Sequence, residues 1–292
     1  MSDFLIGIDG GGTSCRAAVA TADGIVVGMA KSGPANILTD IDGALGNIAA
    51  ASRGAFINAG LDPSGITRAR ALLGLAGSNV GDVSERLTAR LPFSRSEIVS
   101  DGLIALQGAF GDEDGAIAVI GTGTMYLSRR GDGLRSFGGW GFIVADQGSG
   151  ARLGHALLQE CLLASDGIRP GSPLTADVLA EFGDDPSRLV AFARYAAPSD
   201  FGRYSPRIFA AANSSDPVGL KVLRAGAAAI DETLDAMVRA GGERICLLGG
   251  LSAHYPVWLS EANRSRLVAA RADALSGAVA LAVSRFGGRM AS

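Results

Sequence analysis

The chain opens on short apolar runs separated by turn residues. Residues 4–8 (FLIGI), 15–20 (CRAAVA) and 25–30 (IVVGMA) each have the length and content of a strand, and Asp23-Gly24 between the last two is a hairpin signal. A meander of antiparallel strands is expected there. From residue 40 the period changes. Ile41, Leu45, Ile48 and Ala55 recur at helical spacing and Gly60 follows as a stop, which predicts a helix over 40–60. A buried strand at 69–75, a short helix at 81–90, a short strand at 97–99 and a helix at 102–110 complete the first part of the pattern.

Then the opening pattern returns. Residues 116–120 (AIAVI) read as a strand, 121–124 (GTGT) as a glycine loop, 125–129 (MYLSR) as a second strand, and Gly131-Asp132-Gly133 as its turn. Setting Thr13 on Thr124 also sets Gly10 on Gly121 and Gly12 on Gly123. Two copies of strand, glycine loop and strand point to an internal duplication. A helix is expected over 149–164, a loop over 165–172, helix over 173–240 with a break at 213–217, a strand at 244–248 before Gly249-Gly250, and a closing helix over 272–286. The domain boundary belongs in the charged turn 111–115, giving an N-terminal lobe 1–111 and a C-terminal lobe 112–292. The last helix is a candidate to pack back on the N-terminal lobe.

Bulk composition adds limits. A chain of 292 residues with 48% hydrophobic and 19% charged residues buries a globular core. The net charge of −3 and the lack of a Lys/Arg run give no footprint for nucleic acid. Cys15, Cys161 and Cys246 are far apart and form no CxxC, which speaks against zinc, an iron–sulfur cluster within one chain, or a disulfide framework. The N-terminal segment lacks a signal-peptide pattern, and the apolar runs fall far short of the ~20 residues that span a bilayer. No membrane partner and a cytoplasmic location are expected.

Chemistry concentrates in three loops. In IGIDGGGTSCR the glycines let backbone turn tightly and point N–H groups at phosphate oxygens. No Lys-Ser/Thr follows, so this is not a Walker loop, and a strand follows instead of the helix that a dinucleotide fingerprint needs. GTGT at 121–124 is a plausible second clasp, and a plain loop when taken alone. LLGGLS at 247–252 ends a strand in Gly-Gly, where a flat ring can lie close to backbone or a helix can pack.

These loops, in this order, resemble those of the actin–hexokinase–heat-shock-chaperone superfamily. With GGWGFIVADQGS at 138–149, the chain resembles the N-acetylglucosamine kinase branch grouped with the BadF/BadG/BcrA/BcrD-type ATPases. The resemblance implies an α/β fold of two ribonuclease H-like (actin/hexokinase-type) lobes with an ATP and sugar cleft between them. It implies a first phosphate loop (Asp9, Gly10, Gly11, Gly12, Thr13), a second (Gly121, Thr122, Gly123, Thr124) and an adenosine loop (Gly249, Gly250). It makes Asp101 the catalytic base, with Asn36, Gly139, Trp140 and Asp146 on the sugar side. Mg²⁺ would lie near Asp9, held through water. ATP and an amino sugar, N-acetylglucosamine or glucosamine, are the implied substrates, and dimers are common among such proteins.

Each of these residues also has a plain structural reading. Asp101 could cap the helix after it, Asn36 could be a turn residue after Pro34, Trp140 a core aromatic, and Asp146 a cap for the helix near Ser149. The chain departs from the pattern at Ile120, where more distant superfamily members often carry an acid, and at Ala76, where some sugar kinases carry Ser. Two other functions compete: an ATPase activator of a dehydratase, which needs paired cysteines, and a sugar-binding regulator without catalysis. A zinc-bearing glucokinase is disfavoured, because His155 and His254 have no cysteine neighbours at ligand spacing.

Overall fold

The computed structural model describes residues 4–78 and 82–287. The chain forms two compact units, Met1–Glu113 with Ala269–Ser292, and Asp114–Val268.

The first unit begins with β1 (Leu5–Gly10), β2 (Cys15–Ala20) and β3 (Val26–Ser32), paired antiparallel in sequence. Helix α1 (Ile41–Asn58) follows; the Asp40 carboxylate accepts from Gly43 N–H at 2.9 Å to start it. Strand β4 (Arg70–Leu75), helix α2 (Val83–Thr88), strand β5 (Arg95–Ser100) and helix α3 (Asp101–Phe110) come next. Residue 81, where the sequence starts the short helix, lies outside the described residues. The sheet order is β3-β2-β1-β4-β5, with β4 parallel to both β1 and β5.

Strand alternation sorts the core. Ile6, Ile8, Cys15, Ala17 and Val19 face Ile48, Ala51, Ala55 and Phe56 of α1. Leu5 and Leu72 face the other way, toward Ile104 of α3 and Ala278, Ala282 and Phe286 near the chain's end. Ile48 and Phe56 are fully buried, each contributing about 1.5–3 kcal/mol.

The second unit repeats the opening. Strands β6 (Gly115–Ile120), β7 (Thr124–Arg130) and β8 (Gly133–Gly138) form a second antiparallel meander. A helical stretch follows: α4 (Gly150–Ser165), α5 (Pro173–Glu181), α6 (Pro186–Tyr195), α7 (Pro198–Gly202), α8 (Ser205–Asn213) and α9 (Pro217–Arg239). The sequence reading merged α5 to α8. The chain breaks there because Gly183 and Asp184 take left-handed φ of 67° and 55°, and Pro186, Pro198 and Pro206 each open a new helix. Strand β9 (Ile245–Leu248) pairs parallel with β6 and gives the order β8-β7-β6-β9, and the short α10 (Glu261–Arg264) closes the unit. The chain then returns to the first unit as α11 (Ala274–Phe286), which packs on β1 and α3. Among the described residues no helix is long and apolar enough to cross a membrane.

Candidate active site

In the first unit the parallel strands end in register: Gly10 of β1 is level with Leu75 of β4, and Leu75 with Ser100 of β5. Ligands of open α/β sheets gather beyond this carboxyl edge. The loop after β1 turns on Gly11 N–H, which donates to the Ser14 carbonyl at 3.0 Å. A Cβ on Gly12 would meet nothing within 4 Å, and Gly12 and Thr13 are exposed. The loop carrying Asn36 is tied to the same edge, since Ala35 N–H donates to the Gly11 carbonyl (2.9 Å) and Ile37 N–H to that of Ala76 (3.2 Å).

Asp9 is half-buried and clamped. Arg16, its cross-strand partner on β2, donates to Oδ2 from Nε (3.1 Å) and Nη2 (2.6 Å). The same guanidinium donates from Nη1 to Asp273 at 2.6 Å, the residue that caps α11. Both Arg16 contacts fall on one carboxylate oxygen, so Asp9 Oδ1 keeps its lone pairs beside the open glycine loop. A hard oxygen donor there fits a hydrated Mg²⁺. Sequence reading missed Arg16; the hairpin register would have found it, because Asp9 and Arg16 face each other across six-residue strands.

Asp101 is not the cap that its position suggested. Ser100 is: its hydroxyl accepts from Leu103 N–H at 3.2 Å. Asp101 is the first helical residue, and its Oδ1 accepts from Gly102 N–H at 2.9 Å. Burial holds its carboxyl above the ordinary carboxylate range; the Gly102 N–H pulls it back, and the charge of Asp9 adds to the rise. Asn36 does serve as a turn residue: its Oδ1 accepts from Leu38 N–H at 3.0 Å. Its Nδ2 has no partner among the described residues, which leaves a donor for a ligand.

The second unit has its own constellation. Gly121 N–H donates to the Gly123 carbonyl (2.9 Å), and the Gly121 carbonyl accepts from Gly150 N–H (2.8 Å) at the start of α4. Leu251 N–H donates to the Ile120 carbonyl at 3.0 Å, which draws the loop after β9 onto the end of β6. Gly249 takes φ +90°, and a Cβ there would lie 2.5 Å from the Ile120 carbonyl oxygen; only glycine fits. Gly250 faces open space, with its N–H 4.0 Å from where a Cβ on Gly121 would be.

Asp146 folds back onto this loop. Its Oδ2 would be 2.7 Å from a Cβ on Gly123, so that glycine is what lets the carboxylate approach. It is buried, with a left-handed φ of 61°. Burial raises its pKa, against the pull of the Thr124 and Gly141 N–H groups and the Arg152 charge. It does not cap α4; Ser149 does, accepting from Arg152 N–H at 3.2 Å. Gly139 lies at the exposed start of the same loop, with φ +75°. Trp140 next to it is 80% exposed and not a core aromatic.

The signature of the BadF/BadG/BcrA/BcrD ATPase family matches residues 6–282. The chain belongs to this family. It is 38% identical over 281 residues to the glucosamine kinase GspK of Vibrio cholerae, covering 96% of each chain. A solved structure from Chromobacterium violaceum, assigned to N-acetylglucosamine kinase, superposes with a TM-score of 0.87 at 32% identity and covers 97% of this chain and 99% of that one. A ROK family glucokinase from Streptomyces griseus shares the fold at a TM-score of 0.55 and 19% identity, covering 96% and 98%.

Proposed function

We propose that the chain is an ATP-dependent amino-sugar kinase acting on glucosamine or N-acetylglucosamine. The observation that carries this reading is Asp101: a carboxylate with raised basicity, freed from capping by Ser100, at the carboxyl edge of three parallel strands beside a glycine loop. The near full-length likeness to a glucosamine kinase supports an amino sugar as acceptor.

In this reading the acceptor hydroxyl gives its proton to Asp101 as its oxygen attacks the γ-phosphorus of ATP. The new O–P bond forms while the bond from the γ-phosphorus to the β-bridging oxygen breaks, and ADP leaves. A sugar hydroxyl is too weak a nucleophile at neutral pH without a base, and a positioned carboxylate is worth ~10²–10⁴ in rate. In the loops Gly10–Thr13 and Gly121–Thr124 the backbone N–H groups not already donating within the protein hold phosphate oxygens, where the loose transition state gathers charge. Asp9 would hold Mg²⁺ through water, and the ion when bound neutralises charge on the β- and γ-oxygens. Gly249 and Gly250 offer flat backbone to the adenosine. In the first unit Asn36, through its unpaired amide, offers a donor to the sugar, and in the second unit Asp146, with Gly139 and Trp140, offers further sugar contacts.

The activator reading asks for paired thiols. Cys15 and Cys161 are instead buried in separate cores, and burial pushes both up to about 12.

The deciding experiment is coupled ADP release with Mg-ATP against glucose, glucosamine, N-acetylglucosamine and N-acetylmannosamine. Turnover with one amino sugar far above the others is expected. ATP hydrolysis that ignores sugar, or no turnover with any of the four, would overturn the reading.

A further inference from the structure

Among the described residues, two buried polar atoms of the second unit have no hydrogen-bond partner, Asp146 Oδ1 and Tyr126 Oη, and the charge of Asp146 acts on the Tyr126 phenol. Tyr126 is 2% exposed and Asp146 8%. Buried polar groups are almost always paired, and an orphan on either residue is costly. Tyr126 lies on β7, two residues after Thr124, so both side chains leave the strand on its buried face. Thr124 is also the residue whose N–H favours the charge on Asp146.

The ring of Tyr126 reaches the other end of the same loop. Its Cδ2 and Cε2 would be 3.4 and 3.5 Å from a Cβ on Gly138. One side chain thus touches the start of the 138–146 loop with its ring while its hydroxyl shares a polar environment with the carboxylate at the end of it. The charge on Asp146 acts on the Tyr126 phenol, and the Thr124 and Thr233 hydroxyls lie beside that phenol.

We propose that Tyr126 is a positioning residue for Asp146, its hydroxyl linked to Asp146 Oδ1 through one ordered water that pairs both groups. A water there has its two to four polar partners in Tyr126, Asp146 and the flanking threonine hydroxyls. The link fixes the carboxylate against Gly123 and favours its ionised form, the form that accepts hydrogen bonds from sugar hydroxyls or from an ammonium at C2. This rests on the reading of Asp146 as a sugar-side residue.

The charged and titratable groups that bear on Asp146 are Arg152 of α4 and, through Tyr126, Tyr255 after β9. Tyr255 is already committed, since its hydroxyl donates to the Gly148 carbonyl. Removing the Tyr126 hydroxyl therefore takes away a partner of the Asp146 anion and leaves the others in place. The carboxyl pKa rises, and sugar binding weakens as pH falls from a higher starting point.

The test is Tyr126→Phe beside Asp146→Asn in the full chain, with KM for glucosamine and N-acetylglucosamine, KM for ATP, the pH profile of kcat/KM, and thermal melting. The expected result for Tyr126→Phe is a sugar KM raised about tenfold, an acid limb moved to higher pH, and an unchanged ATP KM. A purely structural tyrosine predicts otherwise: deleting an unpaired buried hydroxyl is neutral or stabilising and silent in the pH profile. Wild-type sugar KM and acid limb in Tyr126→Phe, with sugar binding lost in Asp146→Asn, would overturn the positioning role alone. Wild-type sugar KM in Asp146→Asn would overturn the reading of Asp146 and the proposal with it.

Discussion

The two units share a four-strand order around a glycine loop, to which the first adds β5, and arm it differently. In the first, the acid is in the strand: Asp9, one residue before the end of β1, clamped by Arg16 of β2. In the second, Ile120 stands at the matching place and is fully buried. The carboxylate near that loop is Asp146, which comes from a different segment and lies back on Gly123. A strand-borne acid is rigid and needs a cation to hold it. A loop-borne acid takes a left-handed φ and a glycine to approach. The duplicated hairpin is thus a scaffold, and the placement of charge decides what each copy contributes.

The largest effect is expected at the first unit's carboxyl edge. Asp101→Asn should lower kcat by about 10² or more with little change in ATP binding. Wild-type turnover would remove Asp101 from the chemistry. The pH dependence follows from sign. The base works ionised, and burial raises its pKa, so turnover declines as pH falls, with a midpoint above the ordinary carboxylate range. A group whose folded pKa is raised stabilises the fold most at low pH and loses that contribution as pH rises through the folded pKa. At neutral pH the neutral Asn should therefore melt no lower than wild type, because Ser100 keeps the cap. A marked drop in melting temperature would show that Asp101 is structural.

Next is an attempt to make the second unit copy the first. Ile120→Asp puts an acid where Asp9 would be, but that site is apolar: Ile120 belongs to the cluster of Ala118, Tyr126 and Leu251. Burying an unpaired carboxylate and losing the isoleucine should cost about 3 kcal/mol or more, read by denaturant unfolding. A loss under about 1 kcal/mol would mean that the two hairpins are interchangeable, and the contrast between them would fail.

Much of this contrast could be read in the sequence. The short strand-like runs located all but one of the strands, because each is bounded by glycine or a turn. The exception is β8 (GLRSFG), which is mostly exposed and carries no apolar alternation. Asp9 stood out as an acid beside a glycine run, whereas Asp101 and Asp146 were singled out through the family resemblance. What could not be read was which neighbour takes each job. Ser100 and Ser149 are one and three residues from the acids they relieve of capping, and local spacing allows either residue to cap. Arg16 acts through a pairing that exists only once strand register is fixed, and the Tyr126 ring comes to lie against Gly138 only then. The merged helices at 173–213 failed for a local reason: their Ala-rich composition favours helix throughout, and the left-handed turn at Gly183-Asp184 has no apolar signature.

The loop after β9 gives a smaller effect. Gly249→Ala forces an L residue to φ +90° and a Cβ to within 2.5 Å of the Ile120 carbonyl. That should destabilise the second unit by about 2 kcal/mol. Gly250→Ala, with nothing within 4 Å, should stay within about 0.5 kcal/mol of wild type. Equal losses would mean that the loop relaxes, and its tie to β6 would not matter.

The smallest effect on the fold is the most informative about ligand. Gly12, like Gly250, has open space where a Cβ would go, and it sits at the exposed tip of the first glycine loop. Its φ is not in the left-handed region, so alanine fits the backbone there. Stability of Gly12→Ala should again stay within about 0.5 kcal/mol. If the loop cradles phosphate, though, a methyl group enters the space that phosphate oxygens need, and KM for ATP should rise about tenfold while KM for sugar holds. The structure alone gives no reason for glycine at this position, so the kinetic cost is a direct measure of the ligand. Unchanged stability with unchanged ATP KM would mean that the first hairpin is a glycine-rich turn, and that the resemblance between the two loops is one of shape without shared use.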